Sequence, residues 1–142
     1  GYGRTGSRSP MQWNKGLNAG FSSASADKLY VPLDQAADRP DAESQMADPA
    51  SLRSEIKRLI ALRQAHSSLQ SRGTIAFISA GHPLIYTRKT DDEQITVVIN
   101  PDTDSKSISG LSGTILHTVG NNAKTNGNSL VIDGCTAAFL LQ

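Results

Sequence analysis

The pattern of this chain breaks at Thr74, and that break restricts the folds open to it. Residues 74–79, 84–88, 94–100, 114–119, 129–132 and 136–141 are short runs rich in β-branched and aromatic residues. Turn-forming sequence separates them: Gly81-His82-Pro83, Thr90-Asp91-Asp92-Glu93, Asn100-Pro101-Asp102, the tract 120–128 and Asp133-Gly134. The pattern predicts a small antiparallel β-sandwich. Residues 103–108 add a weak further strand. The tract 120–128, Gly-Asn-Asn-Ala-Lys-Thr-Asn-Gly-Asn, reads as a long hairpin turn.

Upstream the pattern is different. Residues 48–66 predict one amphipathic helix. Asp48 is placed to accept the first free backbone N–H groups, and Pro49 suits the first helical position. Leu52, Ile56, Leu59 and Ile60 follow at i, i+4, i+7 and i+8 as an apolar stripe, broadened by Leu62. Arg53, Lys57, Arg58 and Arg63 surround it as a solvated face, with cations favoured towards the C-terminus. Residues 1–47 keep neither a helical nor a strand period. They carry scattered large apolar residues (Met11, Trp13, Leu17, Phe21, Tyr30) that need a surface to pack against. A loop of this length is uncommon in a compact domain and is usually functional where it occurs.

Composition excludes several classes. A formal net charge of +1 leaves no electrostatic footprint for nucleic acid or an anionic membrane. No stretch approaches the roughly 18 apolar residues of a spanning helix. The single cysteine, Cys135, cannot form an intramolecular disulfide, which favours a reducing, cytoplasmic setting. It reads as a small buried hydrophobe. His66, His82 and His117 lack zinc-ligand spacing. Asp91, Asp92 and Glu93 are adjacent in a turn, where neighbouring side chains make a poor catalytic pair. No metal or cofactor site is expected.

The informative segment is Arg4-Thr5-Gly6-Ser7-Arg8-Ser9-Pro10-Met11-Gln12-Trp13-Asn14, followed by Asn18-Ala19-Gly20-Phe21-Ser22. It resembles the R-D-x-x-R-T-P-M-Q-W-D … N-A-G-F-S signature of the α-glucosidase, oligo-1,6-glucosidase and trehalose synthase-like branch of the α-amylase family. Leu29-Tyr30-Val31-Pro32-Leu33 resembles the family's W-x-P-V-N-P stretch. Gln45-Met46-Ala47-Asp48-Pro49-Ala50-Ser51-Leu52 and Lys57–Arg63 resemble its Q-x-A-D-P-x-S-L … K-L-I-x-L-R helix. Thr5, Ser9 and Asn14 depart from the family's aspartate, threonine and aspartate.

This resemblance implies a chain that is mainly β. Residues 1–70 would be the end of a (β/α)8 barrel, a long loop after strand eight plus the last helix, and residues 71–142 a C-terminal β-sandwich domain. It implies a C-terminal part of a retaining glycoside hydrolase acting on α-glucosidic oligosaccharides. The catalytic carboxylates belong to earlier barrel strands, so the chain alone is expected to be inactive, with a structural role. Arg4 corresponds to a residue that holds the terminal glucose, and Arg8 to one near the acceptor subsite. Met11, Gln12 and Trp13 are expected to pin the loop to the barrel rim. The expected partners are an α-glucoside oligosaccharide in the intact parent and the upstream barrel, with self-association of the chain alone. The alternative is a non-catalytic carbohydrate-binding module, which needs an aromatic platform from Phe77, Tyr86 and Phe139.

Overall fold

The computed structural model describes residues 8–142. These form two compact units, one ending at Arg58 and one spanning Leu59–Gln142.

The first unit is more regular than its sequence suggests. Single 3-10 turns occupy Leu17–Gly20 and Ala26–Lys28, and a short helix, α1, spans Ala42–Ala47. Asp41 initiates α1 as its N-cap: its Oδ1 accepts the Ser44 backbone N–H at 2.8 Å, and its Oδ2 accepts the Ser44 hydroxyl at 2.7 Å. The Ser44 backbone bond, with the hydroxyl bond behind it, holds the Asp41 carboxyl below the usual carboxylate range.

The expected helix is present as α2, Leu52–Ala65, but it starts later and with a different cap. Asp48 terminates α1 instead, donating its backbone N–H to Ser44 O at 3.2 Å. Ser51 takes the capping position: its Oγ accepts the Ser54 N–H at 3.2 Å, and its carbonyl accepts the Glu55 N–H at 2.9 Å. A proline after an aspartate suits a helix start, but here the pair lies in the link between two helices. Along α2 the apolar stripe lies in solvent: Leu52, Ile56 and Ile60 are 69, 48 and 52 % exposed. Arg58 bonds Glu55 at 2.6 Å and the Pro49 carbonyl at 2.8 Å, so one of the four cations is tied back to its own helix.

The second unit is the β-sandwich. Eight strands follow: β1 Thr74–Ser79, β2 Leu84–Lys89, β3 Gln94–Asn100, β4 Lys106–Ser109, β5 Thr114–Val119, β6 Ala123–Asn126, β7 Ser129–Ile132 and β8 Thr136–Leu141. They pair antiparallel in a five-stranded sheet ordered β1-β2-β3-β8-β5 and a three-stranded sheet ordered β4-β7-β6. Alternate residues of the facing strands close the core between the sheets, among them Ile85, Val98, Ala138 and Leu140 from one sheet and Leu130 and Ile132 from the other. Each Ile, Val or Leu side chain so removed from water contributes about 1.5–3 kcal/mol, so this cluster is the main stabiliser of the unit.

Two expectations are corrected here. The tract 120–128 is not simply a turn: β6 lies within it and pairs with β7 from Ala123↔Ile132 to Asn126↔Ser129 around a two-residue Gly127-Asn128 loop. Gly127, at φ +58°, supplies the left-handed residue that such a tight loop demands. Cys135 is exposed, not buried. It sits in the turn between β7 and β8 at φ +53°, donating its N–H to the Asp102 carbonyl at 2.8 Å. The turn's geometry, not the apolar run around it, decides where that side chain points.

Candidate functional site in the motif loop

The residues from Arg8 to Ser22 form the most constrained stretch of the first unit. The main chain of Gln12 and Trp13 is clamped on both sides. Trp13 N–H donates to Ala19 O at 2.8 Å, and the Gln12 and Trp13 carbonyls accept the N–H groups of Ala42 and Glu43, each at 2.9 Å. The motif thus joins the Asn18-Ala19-Gly20 turn to the first turn of α1. The side chains of Met11 and Trp13 remain half exposed, at 49 and 52 %.

The turn itself is strained. Asn18, Ala19 and Gly20 take φ values of +49°, +54° and +71° in succession. Left-handed geometry costs a non-glycine residue roughly 1–2 kcal/mol, and such strain persists only where the surroundings over-determine it. Here they do. Asn18 is buried, and its Nδ2 donates to Ser22 O at 2.9 Å and Ala24 O at 2.6 Å. Ala19 is fully buried. Asn14 braces the turn from inside: its Oδ1 accepts the Gly16 N–H at 2.9 Å, and a Cβ at Gly20 would meet its side chain at 2.8 Å. Asn14, one of the departures from the family signature, therefore carries a structural duty.

Beyond the turn, Phe21 and Tyr30 are 50 and 84 % exposed. With Arg8, Ser9, Pro10, Leu29 and Val31 they line a largely apolar hollow of about 170 Å³. Of the two sequence-predicted site residues, Arg8 stands at this hollow and Arg4 lies outside the described residues. The sequence marks Phe21 and Tyr30 only as loop apolar residues that need a surface to pack against, and here both border the hollow.

The remaining polar clusters are structural. Glu93 accepts bonds from His66 Nδ1 at 2.6 Å, Ser68 N at 3.0 Å and Ser68 Oγ at 2.7 Å. The sequence presents His66 as isolated, yet the fold brings it across 27 positions to this carboxylate. Burial pushes the Glu93 carboxyl up, but the His66 and Ser68 bonds outweigh it and leave it below the ordinary range. The serine hydroxyl faces the carboxylate and is fully buried, so the trio is a clasp and not a nucleophile with its base. His82 and Lys106 flank Asp102, each at 3.1 Å. Their hydrogen bonds, that of Lys106 foremost, hold its carboxyl low. Asp91 and Asp92 border an open hollow of about 590 Å³ with Arg72, Lys89 and hydroxyl side chains. No aromatic or aliphatic side chain lines it, and binding clefts for sugars and other small molecules rest on such surfaces. Among the described residues no group of three or more His, Cys, Asp or Glu is placed to hold a metal, and no helix is long and apolar enough to cross a membrane.

Comparison with known proteins places this geometry. Residues 1–72 match the family described as alpha amylase, catalytic domain. The oligo-1,6-glucosidase of Parageobacillus thermoglucosidasius is 34 % identical over 100 residues, covering 69 % of this chain and 17 % of that protein. The trehalose synthase of Thermus thermophilus is 31 % identical over 105 residues, covering 68 % of this chain and 11 % of that protein. The trehalulose synthase MutB from Pseudomonas mesoacidophila shares the fold, with a TM-score of 0.77 at 24 % identity over 92 % of this chain and 24 % of that one. The chain belongs to the α-amylase family. It spans less than a fifth of the length of the curated relatives it matches first.

Proposed function

We propose that this chain supplies the loop, last barrel helix and C-terminal β-domain of a retaining α-glucosidase-type glycoside hydrolase acting on α-glucosidic oligosaccharides. The observation that carries this reading is the clamped, strained loop between Arg8 and Ser22, built on the motif that resembles the α-glucosidase signature. Strain held this firmly points to a position that must be kept for function. The family match over residues 1–72 supports assigning residues 1–70 to the barrel's end and 71–142 to the β-domain, although the compact-unit boundary falls earlier, within α2.

A retaining glycosidase needs two carboxyl groups about 5–5.5 Å apart across the scissile bond. In this chain Asp41, Glu93 and Asp102 are committed to a cap, a clasp and an ion-pair cluster. The resemblance assigns the reacting carboxylates to earlier barrel strands, so this chain provides substrate-side guanidinium groups, Arg4 and Arg8, and support. The exposed stripe of α2 is the face offered to the rest of the barrel. In the chain alone it is open to self-association.

A carbohydrate-binding module remains the second reading, but Phe77 and Tyr86 do not form its platform. Their rings are inclined at 53° with centroids 5.9 Å apart, so the two together make no coplanar platform for a sugar ring.

The test is turnover. The polypeptide of the whole reading frame should hydrolyse or rearrange maltose, isomaltose or p-nitrophenyl α-glucoside, and the 142-residue chain should turn over none of them. Turnover by the chain that survives repurification overturns the reading, as does an inactive full-length protein. Light scattering across a concentration series reads the self-association, and a strictly monomeric chain at high concentration counts against it.

A further inference from the structure

We infer that Asn126 is a site of spontaneous modification, where the Gly127 backbone nitrogen closes on the side-chain amide and water completes its conversion to aspartate and isoaspartate. This inference is independent of the functional reading above. Asparagine is thermolabile because the chain itself holds the nucleophile beside the reacting carbon. The following peptide nitrogen, once deprotonated, attacks Cγ. An N–Cγ bond forms and closes a five-membered succinimide, the Cγ–Nδ2 bond breaks, and the amide nitrogen leaves as ammonia, taking up a proton. Water then adds to either ring carbonyl. Opening at Cγ gives aspartate. Opening at the main-chain carbonyl gives isoaspartate, whose backbone runs on through Cβ and Cγ. One amide and one water are consumed, one carboxylate and one ammonium are released, and nothing is oxidised or reduced.

Three conditions select the asparagine that reacts: a side-chain amide free of hydrogen bonds, a following N–H outside any ladder, and no following Cβ to obstruct the approach. Asn126 meets all three. It ends β6, and the ladder to β7 stops at Asn126↔Ser129, so Gly127 lies beyond it. Among the described residues, neither the Asn126 side chain nor the Gly127 N–H makes a hydrogen bond. Residues 126–128 are exposed, and nothing lies within 4 Å of where a Gly127 Cβ would stand, so the tip has room to turn. The other candidates are held. Asn100 is buried and precedes a proline, which has no N–H to lose. Asn121 Nδ2 donates to Gly134 O at 2.8 Å. Asn122 and Asn128 precede Ala123 and Ser129, which carry a Cβ and pair in the ladder. The comparable Asp133-Gly134 pair is locked, because Asp133 Oδ1 accepts the Ser105 hydroxyl at 2.9 Å and Gly134 packs on the Thr103 backbone.

The test is incubation of the folded 142-residue chain in mildly alkaline buffer, followed by peptide mapping in a mass spectrometer that separates aspartate from isoaspartate. A second sample is incubated unfolded in guanidinium chloride. In the folded chain both products should accumulate at Asn126, faster than at any other asparagine by about tenfold or more, since the others react only after local opening. A tip that needs no such opening should convert within about tenfold of its rate in the unfolded chain. Each conversion adds one negative charge, so ion exchange should resolve an acidic form growing at the same rate. Asn126→Gln, on an exposed strand end where it leaves the core untouched, would have to close a six-membered ring and should abolish that form. An unconverted Asn126, another asparagine converting as fast, aspartate without isoaspartate, an acidic form that persists in Asn126→Gln, or conversion more than about tenfold faster in the unfolded chain each overturns the inference.

Discussion

His66 Nδ1 lies 2.6 Å from Glu93 Oε1, and both side chains are only 18 % exposed. His66 follows the last residue of α2, and Glu93 closes the turn between β2 and β3, so this bond ties the end of the helix to the second hairpin of the sandwich. Ser68 adds two further bonds to the same carboxylate. A charged acceptor with three donors is a cooperative unit, and removing its charge leaves the donors facing a weaker partner.

Glu93→Gln should therefore destabilise the chain by about 1–2 kcal/mol near neutral pH, lowering Tm by several degrees. The pH dependence follows from the direction of the shift. The folded carboxyl lies below its ordinary value of 4.5, so the folded state favours the ionised form. Its contribution is complete above that ordinary value and is lost as pH falls through the lower folded value. The gap in Tm between wild type and Glu93→Gln should narrow as pH drops below 4.5. Calorimetric scans of both proteins across that range check it, and a gap that widens on acidification contradicts it.

The start of α2 separates two caps. Ser51→Ala removes the oxygen that accepts the Ser54 N–H and should cost about 1 kcal/mol. Asp48→Ala removes only a bond to the Ala50 N–H in the link before the helix, and should cost less. Urea unfolding of the two variants ranks them. A larger loss for Asp48→Ala would restore the helix start read from sequence.

How far the sequence revealed the fold depends on where local chemistry and tertiary contact agree. β1, β2, β3, β5, β7 and β8 were legible because short runs of β-branched and aromatic residues bounded by turn sequence mark them. β6 was not: only Ala123 in it is buried, and Lys124, Thr125 and Asn126 are polar in the manner of a protected sheet edge. The Gly127-Asn128 pair was the available signal, and it marks a hairpin rather than a strand. α1 was hidden because six residues carry no helical period, although Asp41 three residues before Ser44 fits a cap. The motif singled out Arg8, and the fold sets it at a hollow with Phe21 and Tyr30, whose exposure nothing local in the sequence foretold.

Gly20 should resist substitution for two separable reasons. Its φ of +71° disfavours any Cβ, and that Cβ would meet Asn14 at 2.8 Å. Gly20→Ala should cost about 1–2 kcal/mol from backbone strain alone, with the contact adding to it. In Asn14→Ala/Gly20→Ala the contact is gone, and the double variant should be more stable than the sum of the single losses predicts. Strict additivity in a double-mutant cycle would show that Asn14 and Gly20 are not coupled.

The last prediction concerns the two arginines in the full-length protein. Arg8 borders the hollow with Phe21 and Tyr30, while the resemblance assigns Arg4 to the terminal glucose. A charge-assisted bond to a sugar hydroxyl contributes about 1.5–3 kcal/mol, which amounts to tenfold or more in kcat/KM. Arg4→Ala should therefore lower kcat/KM on every α-glucoside, because every substrate presents the same terminal ring. Arg8→Ala should act through the acceptor side: it should reduce turnover of maltose and isomaltose unequally and spare p-nitrophenyl α-glucoside, whose leaving group lacks the second sugar. If Arg8 served only solubility or packing, its loss would show in Tm or nowhere, with no dependence on the leaving group. Kinetics of both variants on the three substrates decide the matter. An Arg8→Ala effect of equal size on the aryl glucoside and the disaccharides would remove Arg8 from the acceptor side.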